Sequence, residues 1–252
     1  MATIKTRGLI IKQTAFSESN RIITIFTHEY GIIKAAVYGA SNTRSKNAAS
    51  TQFLCYGDFV LYKSGKDLLT VKSCEIVESF FTLREDIVKL SLCVYMCDVV
   101  YALLNTDSPD ENILKLILNC IYALSNKDIP CETVRTVFEL KAICLAGYMP
   151  NLSFCKLCKT TKDICAFSKK GDGILCDKCK RIDDIFIDGD IYHAIFYILN
   201  SPIKKMFSFN ASDEVMKTVA KISSVCIRAY TEKEFSSLKY YEDISKTIKT
   251  DC

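Results

Sequence analysis

Cys155, Cys158, Cys176 and Cys179 form two C-x2-C pairs with 17 residues between them. A pair at this spacing on a tight turn presents both sulfurs to one ion, and two pairs complete the tetrahedral thiolate shell that zinc prefers. Each pair is followed at once by a lysine, Lys159 and Lys180, whose charge favours the thiolate form. The spacing predicts a structural four-cysteine site holding one Zn2+ per chain, with no open position for a catalytic water. Two disulfides or four packed thiols are the alternatives. Cys165 lies too far along the chain from either pair to compete as a ligand.

The other ten of the 14 cysteines are scattered. Cys93, Cys97, Cys120, Cys144 and Cys226 fall in apolar segments, where a thiol behaves as a small hydrophobe. No basic stretch leading into an apolar core opens the chain, so a reduced, cytoplasmic setting is expected. The most apolar stretch, Leu90 to Leu104, contains Asp98 and is shorter than the roughly 20 residues of a spanning helix, so no membrane is expected as a partner. The net charge of +4 is unevenly spread. Residues 1–80 hold ten Lys/Arg against six Asp/Glu, residues 81–150 six against nine, and residues 151–252 seventeen against fourteen. Any polyanion is expected at the two basic ends.

Catalytic signatures are missing. There is no G-x-x-x-x-G-K-[ST] loop and no G-x-S-x-G elbow. His28 and His193 stand away from the cysteines at no ligand spacing, and both are expected to be structural or surface residues. Asp183, Asp184, Asp188 and Asp190 read as a solvated acidic linker. A thiol-redox role fits poorly, because such motifs come as one C-x2-C beside a βαβ pattern. The chain is not expected to be an enzyme.

The first eighty residues alternate as strands: 8–12, 21–27, 32–38, 58–62 and 68–72, with turns at Glu29-Tyr-Gly31 and Ser64-Gly-Lys-Asp67 and a polar loop from Ala40 to Gln52. This suits a small barrel, OB-fold or SH3-like. The period then becomes helical over 83–104, 111–125 and 132–146, and again over 189–199 and 213–231. Ser108-Pro-Asp110 and Ser212 serve as start signals, and Gly147 with Pro150 as a stop. Thr231 to Cys252 reads as a charged, frayed end. The predicted class is α+β: a β-barrel over 1–80, then an all-α domain over 81–150 and 183–252, interrupted by the zinc module at 151–182.

Several motifs in this order resemble the RecO family of bacterial recombination mediators over nearly the whole length. Gly8-Leu-Ile-Ile-Lys12 with Glu18 and Asn20-Arg21, Thr27-His-Glu-Tyr-Gly31, and Gly39-Ala40 with Arg44-Ser45 match its opening. Gln52-Phe53 and Asp67 to Glu75 continue the match. The most specific match is Phe138 to Leu152, a helix ending in Gly-Tyr-Met-Pro-Asn-Leu and running directly into Cys155. At the end of the chain, Leu238-Lys-Tyr-Tyr-Glu242 stands where the family carries Leu-Lys-Ser and basic residues. The resemblance implies an OB-fold that binds single- and double-stranded DNA. It also implies annealing of strands coated with single-strand-binding protein and, with RecR, loading of RecA at the nucleoid during repair.

Annealing breaks no bond; the obstacle is repulsion between polyanions, which bound cations relieve. Lys12, Arg21, Lys34, Arg44, Lys46, Lys63 and Lys66 are the barrel's candidates for DNA contact. Phe16, Tyr38, Phe53, Tyr56 and Tyr62 are available for base stacking. In the zinc module, Lys159, Lys162, Lys169, Lys170, Lys178, Lys180 and Arg181 are expected to be exposed. The resemblance implies that the helical domain takes the C-terminal tail of single-strand-binding protein. Arg135 and Lys141 are its candidate cations, with Val134 and Phe138 beside them. A zinc-ribbon docking module without DNA binding is the competing class.

Overall fold

The structure, a computed structural model, describes residues 3–40, 46–63, 68–104 and 108–250. It comprises two compact units, Met1–Leu114 with Tyr241–Cys252, and Lys115–Tyr240.

In the first unit, β1 (Thr3–Ala15), β2 (Arg21–Thr27), β3 (Gly31–Val37), β4 (Tyr56–Lys63) and β5 (Leu69–Glu78) close into a barrel of order β1-β2-β3-β5-β4. All neighbours are antiparallel except β3 and β5. Side chains of alternate residues fill the interior, among them Ile10, Ile23, Ile25, Val37, Phe59 and Leu61. The β2–β3 turn is closed by Thr27, whose Oγ1 donates to Gly31 O at 2.8 Å and accepts from Tyr30 N at 3.0 Å. Gly31 has φ 64°, a conformation that a β-branched residue resists. On the outer surface Arg7 and Asp58, partners in the β1–β4 register, form a bidentate pair at 2.8 and 2.7 Å. Arg7's hydrogen bonds hold the Asp58 carboxyl below its ordinary range.

The polar loop contains a short helix, α1 (Lys46–Ser50), packed on β5. The turn expected at Ser64–Asp67 lies outside the described residues. The compact unit also runs past residue 80 to include α2 (Ile87–Leu103), which starts on the Asp86 carboxylate accepting from Val88 N and Lys89 N and packs on β1. Leu9, Phe26 and Ile32 are cross-strand partners in one row. The row is buried, although the interior is filled by the alternate residues Ile10, Ile23, Ile25 and Ala35. A second apolar face on these strands needs a cover that no isolated barrel provides.

The second unit is built on α4 (Cys131–Leu145), which packs against α5 (Gly189–Asn200) and α6 (Asp213–Thr231). Ten consecutive residues of α4, from Val134 to Ile143, are buried. The cap expected at Ser212 forms, its Oγ accepting from Val215 N, and Asp188, expected in a solvated linker, caps α5 through Oδ1 accepting from Ile191 N at 2.8 Å. Gly147, at φ 89°, ends α4: its N–H donates to Cys144 O while Tyr148 N donates to Ile143 O, the paired bonds of a Schellman motif. Between α4 and α5, β6 (Ile164–Phe167), β7 (Ile174–Cys176) and β8 (Ile185–Phe186) form a small sheet of order β7-β6-β8.

Helices α3 (Glu111–Asn126) and α7 (Ser236–Thr250) cross the boundaries between the units. The start of α3 is capped by Asp110, which accepts from Asn112 N and Ile113 N. The tail expected to fray is therefore helical as far as Thr250. Its inward residues Leu238, Tyr241 and Ile244 recur three apart beneath a charged exterior. Among the described residues no helix is long and apolar enough to cross a membrane.

Candidate metal centre and nucleic-acid interface

The four cysteines of the C-x2-C pairs converge, with all four Sγ atoms within 4.8 Å of one another. Two turns set this up. In the first, Lys159 N donates to Cys155 O at 2.9 Å, with Lys159 itself in the left-handed region at φ 65°. In the second, Cys179 N and Lys180 N both donate to Cys176 O at 3.0 and 2.9 Å. Strand β7 delivers Cys176, and the isolated bridge Asn151–Gly173 fixes the entry to the module. Only glycine fits at 173, with φ 143° and a Cβ that would stand 2.6 Å from Asn151 O. Cys155, Cys158, Cys176 and Cys179 are not joined in disulfides, and Cys165 is not part of the cluster.

The donor set fits a tetrahedral soft cation. Metal–sulfur bonds of ~2.3 Å imply sulfurs about 3.8 Å apart, and Cys158 Sγ stands 3.6 Å from Cys176 Sγ. Without a cation the four thiols compete. Burial opposes ionisation of Cys155, but N–H donors from Cys158, Cys176 and Leu157 overcome it and bring that thiol down to about 6. Contacts with Cys158 and Cys176 push Cys179 up to about 12, and burial raises Cys176. One ion removes this conflict by accepting all four as thiolates.

The barrel's candidate cations fall into two groups. Lys12 pairs with Thr24, and Thr24 with Lys34, so the two exposed lysines flank a buried threonine in one row across β1, β2 and β3. Lys12 Nζ also lies 6.0 Å from the centre of the Tyr101 ring on α2. Arg21 starts β2 opposite Val37, at the barrel end where the 16–20 turn meets β3; Asn20 Oδ1 accepts from Gly39 N at 3.1 Å. That end presents Phe16 and Tyr38, 58% and 53% exposed. Phe53, Tyr56 and Tyr62 are half-buried. Lys63 ends β4, opposite Leu69 and exposed. Arg44, Lys66 and the Lys46 side chain lie outside the described residues.

Arg135 and Lys141 are not rim cations. Arg135 is buried, donating to Glu139 Oε1 at 2.8 Å and Ser224 Oγ at 2.9 Å and pairing with Glu132. Lys141 is buried too; its Nζ donates to Leu199 O at 3.1 Å and to Ser201 O, capping the end of α5. Both were expected as cations open to a partner peptide. They lie inside because α4 is enclosed by its neighbours, so its polar side chains find partners in the interior.

The acidic linker is likewise structural. Asp183 pairs with Lys169, Asp184 accepts from Lys169 N and Arg181 N, and Asp188 caps α5. The seven module cations expected at the surface are all exposed.

The family model described as Recombination protein O N terminal matches residues 1–80, and the one described as Recombination protein O C terminal matches residues 84–239. The chain is 36% identical to DNA repair protein RecO of Acetivibrio thermocellus over 98% of its own length and 99% of that protein. It is 30% identical to DNA repair protein RecO of Clostridium perfringens strain 13, over 98% and 100%. The chain belongs to the RecO family. By that membership it is a DNA-repair mediator and not an enzyme. The four-cysteine cluster stands in the C-terminal matched segment and the barrel in the N-terminal one.

Proposed function

We propose that this chain binds single- and double-stranded DNA through its barrel, anneals complementary single strands, and with RecR helps load RecA onto DNA coated with single-strand-binding protein. The observation that supports this most is the barrel end where Phe16, Arg21 and Tyr38 come together. It offers two exposed aromatic platforms beside a cation, with the Lys12–Lys34 row on the adjoining strands. The strand order β1-β2-β3-β5-β4 is that of an OB-fold, whose strands 2 and 3 and loops 1–2 and 4–5 take oligonucleotides. Base stacking contributes about 1–3 kcal/mol per base without sequence preference, as an annealing protein requires.

The metal is zinc, held by Cys155, Cys158, Cys176 and Cys179. It staples residues 151–182, a segment too small to bury a core of its own. Residues 1–80 serve as the DNA-binding part, and the protein works in the cytoplasm, at the nucleoid during repair. The tail of single-strand-binding protein docks on the helical unit through groups other than Arg135 and Lys141, whose charges are already engaged inside the fold.

An annealing assay with complementary strands precoated by single-strand-binding protein tests this directly. Acceleration over the coated strands alone supports the proposal; unchanged rates with zinc-loaded protein favour a docking module without DNA contact.

A further inference from the structure

Beside the metal centre the module holds a pocket of about 200 Å³ lined by Lys156, Lys169, Lys170, Arg181, Asp172 and Asp184, with Cys179 among the lining residues. One carboxylate builds its rim. Asp184 Oδ1 accepts from Lys169 N at 3.0 Å and Oδ2 from Arg181 N at 2.7 Å, so the 168–171 turn and the start of the 181–184 turn are held against each other. Behind this rim Gly171 fits only as glycine. Its φ is 75°, and a Cβ there would stand 3.0 Å from Cys226 Cα and from Ala229 Cβ on α6. The two turns are thereby fixed on a helix.

The charges sort into used and unused. Lys156 pairs with Asp172, Lys169 with Asp183, and the Asp184 carboxylate is engaged by two backbone N–H groups. Lys170 and Arg181 have no ion-pair partner among the described residues, and both are exposed. Four thiolates and a divalent ion would carry 2 − 4 = −2 next to Cys179, which keeps an anion at the rim rather than deep in the pocket. Lys159, Lys162 and Lys178 continue the exposed positive surface of the module, and Leu157, 60% exposed, stands at the lip.

We propose that the Lys170–Arg181 rim of this pocket is a phosphate seat that holds one backbone phosphate of a nucleic acid strand, separately from the barrel. Arginine offers a planar fork that matches two phosphate oxygens, and lysine adds a point charge. The pocket has room for one phosphate group and several waters, at about 30 Å³ per water. A polymer is favoured over free phosphate because the neighbouring lysines extend the field along the module. In this setting the zinc staple also holds two cations at a fixed separation.

The proposal rests on the DNA-binding reading of the chain, and the test separates the two. Full-length, zinc-loaded protein and the K170A/R181A variant are titrated with a labelled single-stranded oligonucleotide across a KCl series. Zinc content and unfolding midpoint serve as the check that the variant is folded. Loss of the one seated phosphate predicts roughly tenfold weaker binding at low salt and a log–log salt slope shallower by about 0.7. Arg181→Lys, which keeps the charge and loses the fork, is expected to fall between the two. A folded variant with unchanged affinity and slope overturns the seat while leaving barrel binding intact. Wild type that binds no oligonucleotide overturns the DNA reading and this proposal with it. Inorganic phosphate in the millimolar range should shift the backbone amide resonances of Lys170 and Arg181. A shift with phosphate but no change in oligonucleotide binding for the variant marks a free-anion site and also rejects the proposal.

Discussion

Arg135 and Glu139 form an ion pair inside the helical unit, Nη1 to Oε1 at 2.8 Å, with the two side chains 5% and 0% exposed. They sit one turn apart on α4, and Ser223 Oγ on α6 donates to the other oxygen of Glu139. The pair thereby locks α4 to α6 at the centre of the unit. Truncating one partner of a buried pair costs about 3–5 kcal/mol, because the other charge stays behind in the interior. Arg135→Met is expected to lower the urea unfolding free energy by that order, and R135M/E139Q to recover most of it. A loss below about 1 kcal/mol in the single variant would show that the charge escapes to water.

Burial drives Cys226 up to about 12, with the Glu139 and Asp172 carboxylates adding to the effect. The folded state therefore keeps a proton that the unfolded chain gives up near 9. This contribution is complete below pH ~9 and is lost as pH rises through the folded value, with a limiting slope of about 1.4 kcal/mol per pH unit. Lys141 acts with the opposite sign. Burial lowers its pKa, so between that lowered value and its ordinary value stability grows with pH. Unfolding free energies of wild type and Cys226→Ala, compared between pH 8 and 11, isolate the thiol. Wild type should lose stability more steeply above pH 9, and parallel curves would refute the assignment.

Stripping the metal is expected to unfold the module between Asn151 and Ile187, since structural zinc supplies on the order of 10 kcal/mol of apparent binding free energy. Amide exchange should lose protection on β6 and β7 while the barrel strands keep theirs. Cobalt substitution should give a tetrahedral thiolate spectrum with no exchangeable water ligand. An octahedral spectrum, or protection unchanged by a strong chelator, contradicts a closed four-sulfur site.

The four-cysteine cluster was legible in the sequence because it is written in spacing: 155, 158, 176 and 179 meet wherever two tight turns face each other. The barrel strands and the helix caps at Asp110, Gly147 and Ser212 were legible for a similar reason, since short-range rules fix them. What depends on distant neighbours was not. Arg135 and Lys141 look like surface cations in any helical plot, and only the enclosure of α4 by α5 and α6 turns them inward. The two-residue strand β8 is too short to show alternation. In α7 the inward residues Leu238, Tyr241 and Ile244 are outnumbered by charges, so the helix reads as a solvated end. The outward apolar row Leu9, Phe26 and Ile32 was hidden as well, because an alternating strand gives no sign of which face a helix covers.

In the proposed function, barrel cations neutralise nucleic acid phosphates. Fluorescence anisotropy of a labelled single strand against KCl concentration tests it for wild type and for K12A/K34A. Contacts from Lys12, Arg21, Lys34 and Lys63 alone predict a wild-type log–log slope of about −3 or steeper, and the variant should be shallower by about 1.4. Binding that is absent at low salt, or present with a flat salt dependence, would exclude phosphate neutralisation by these cations.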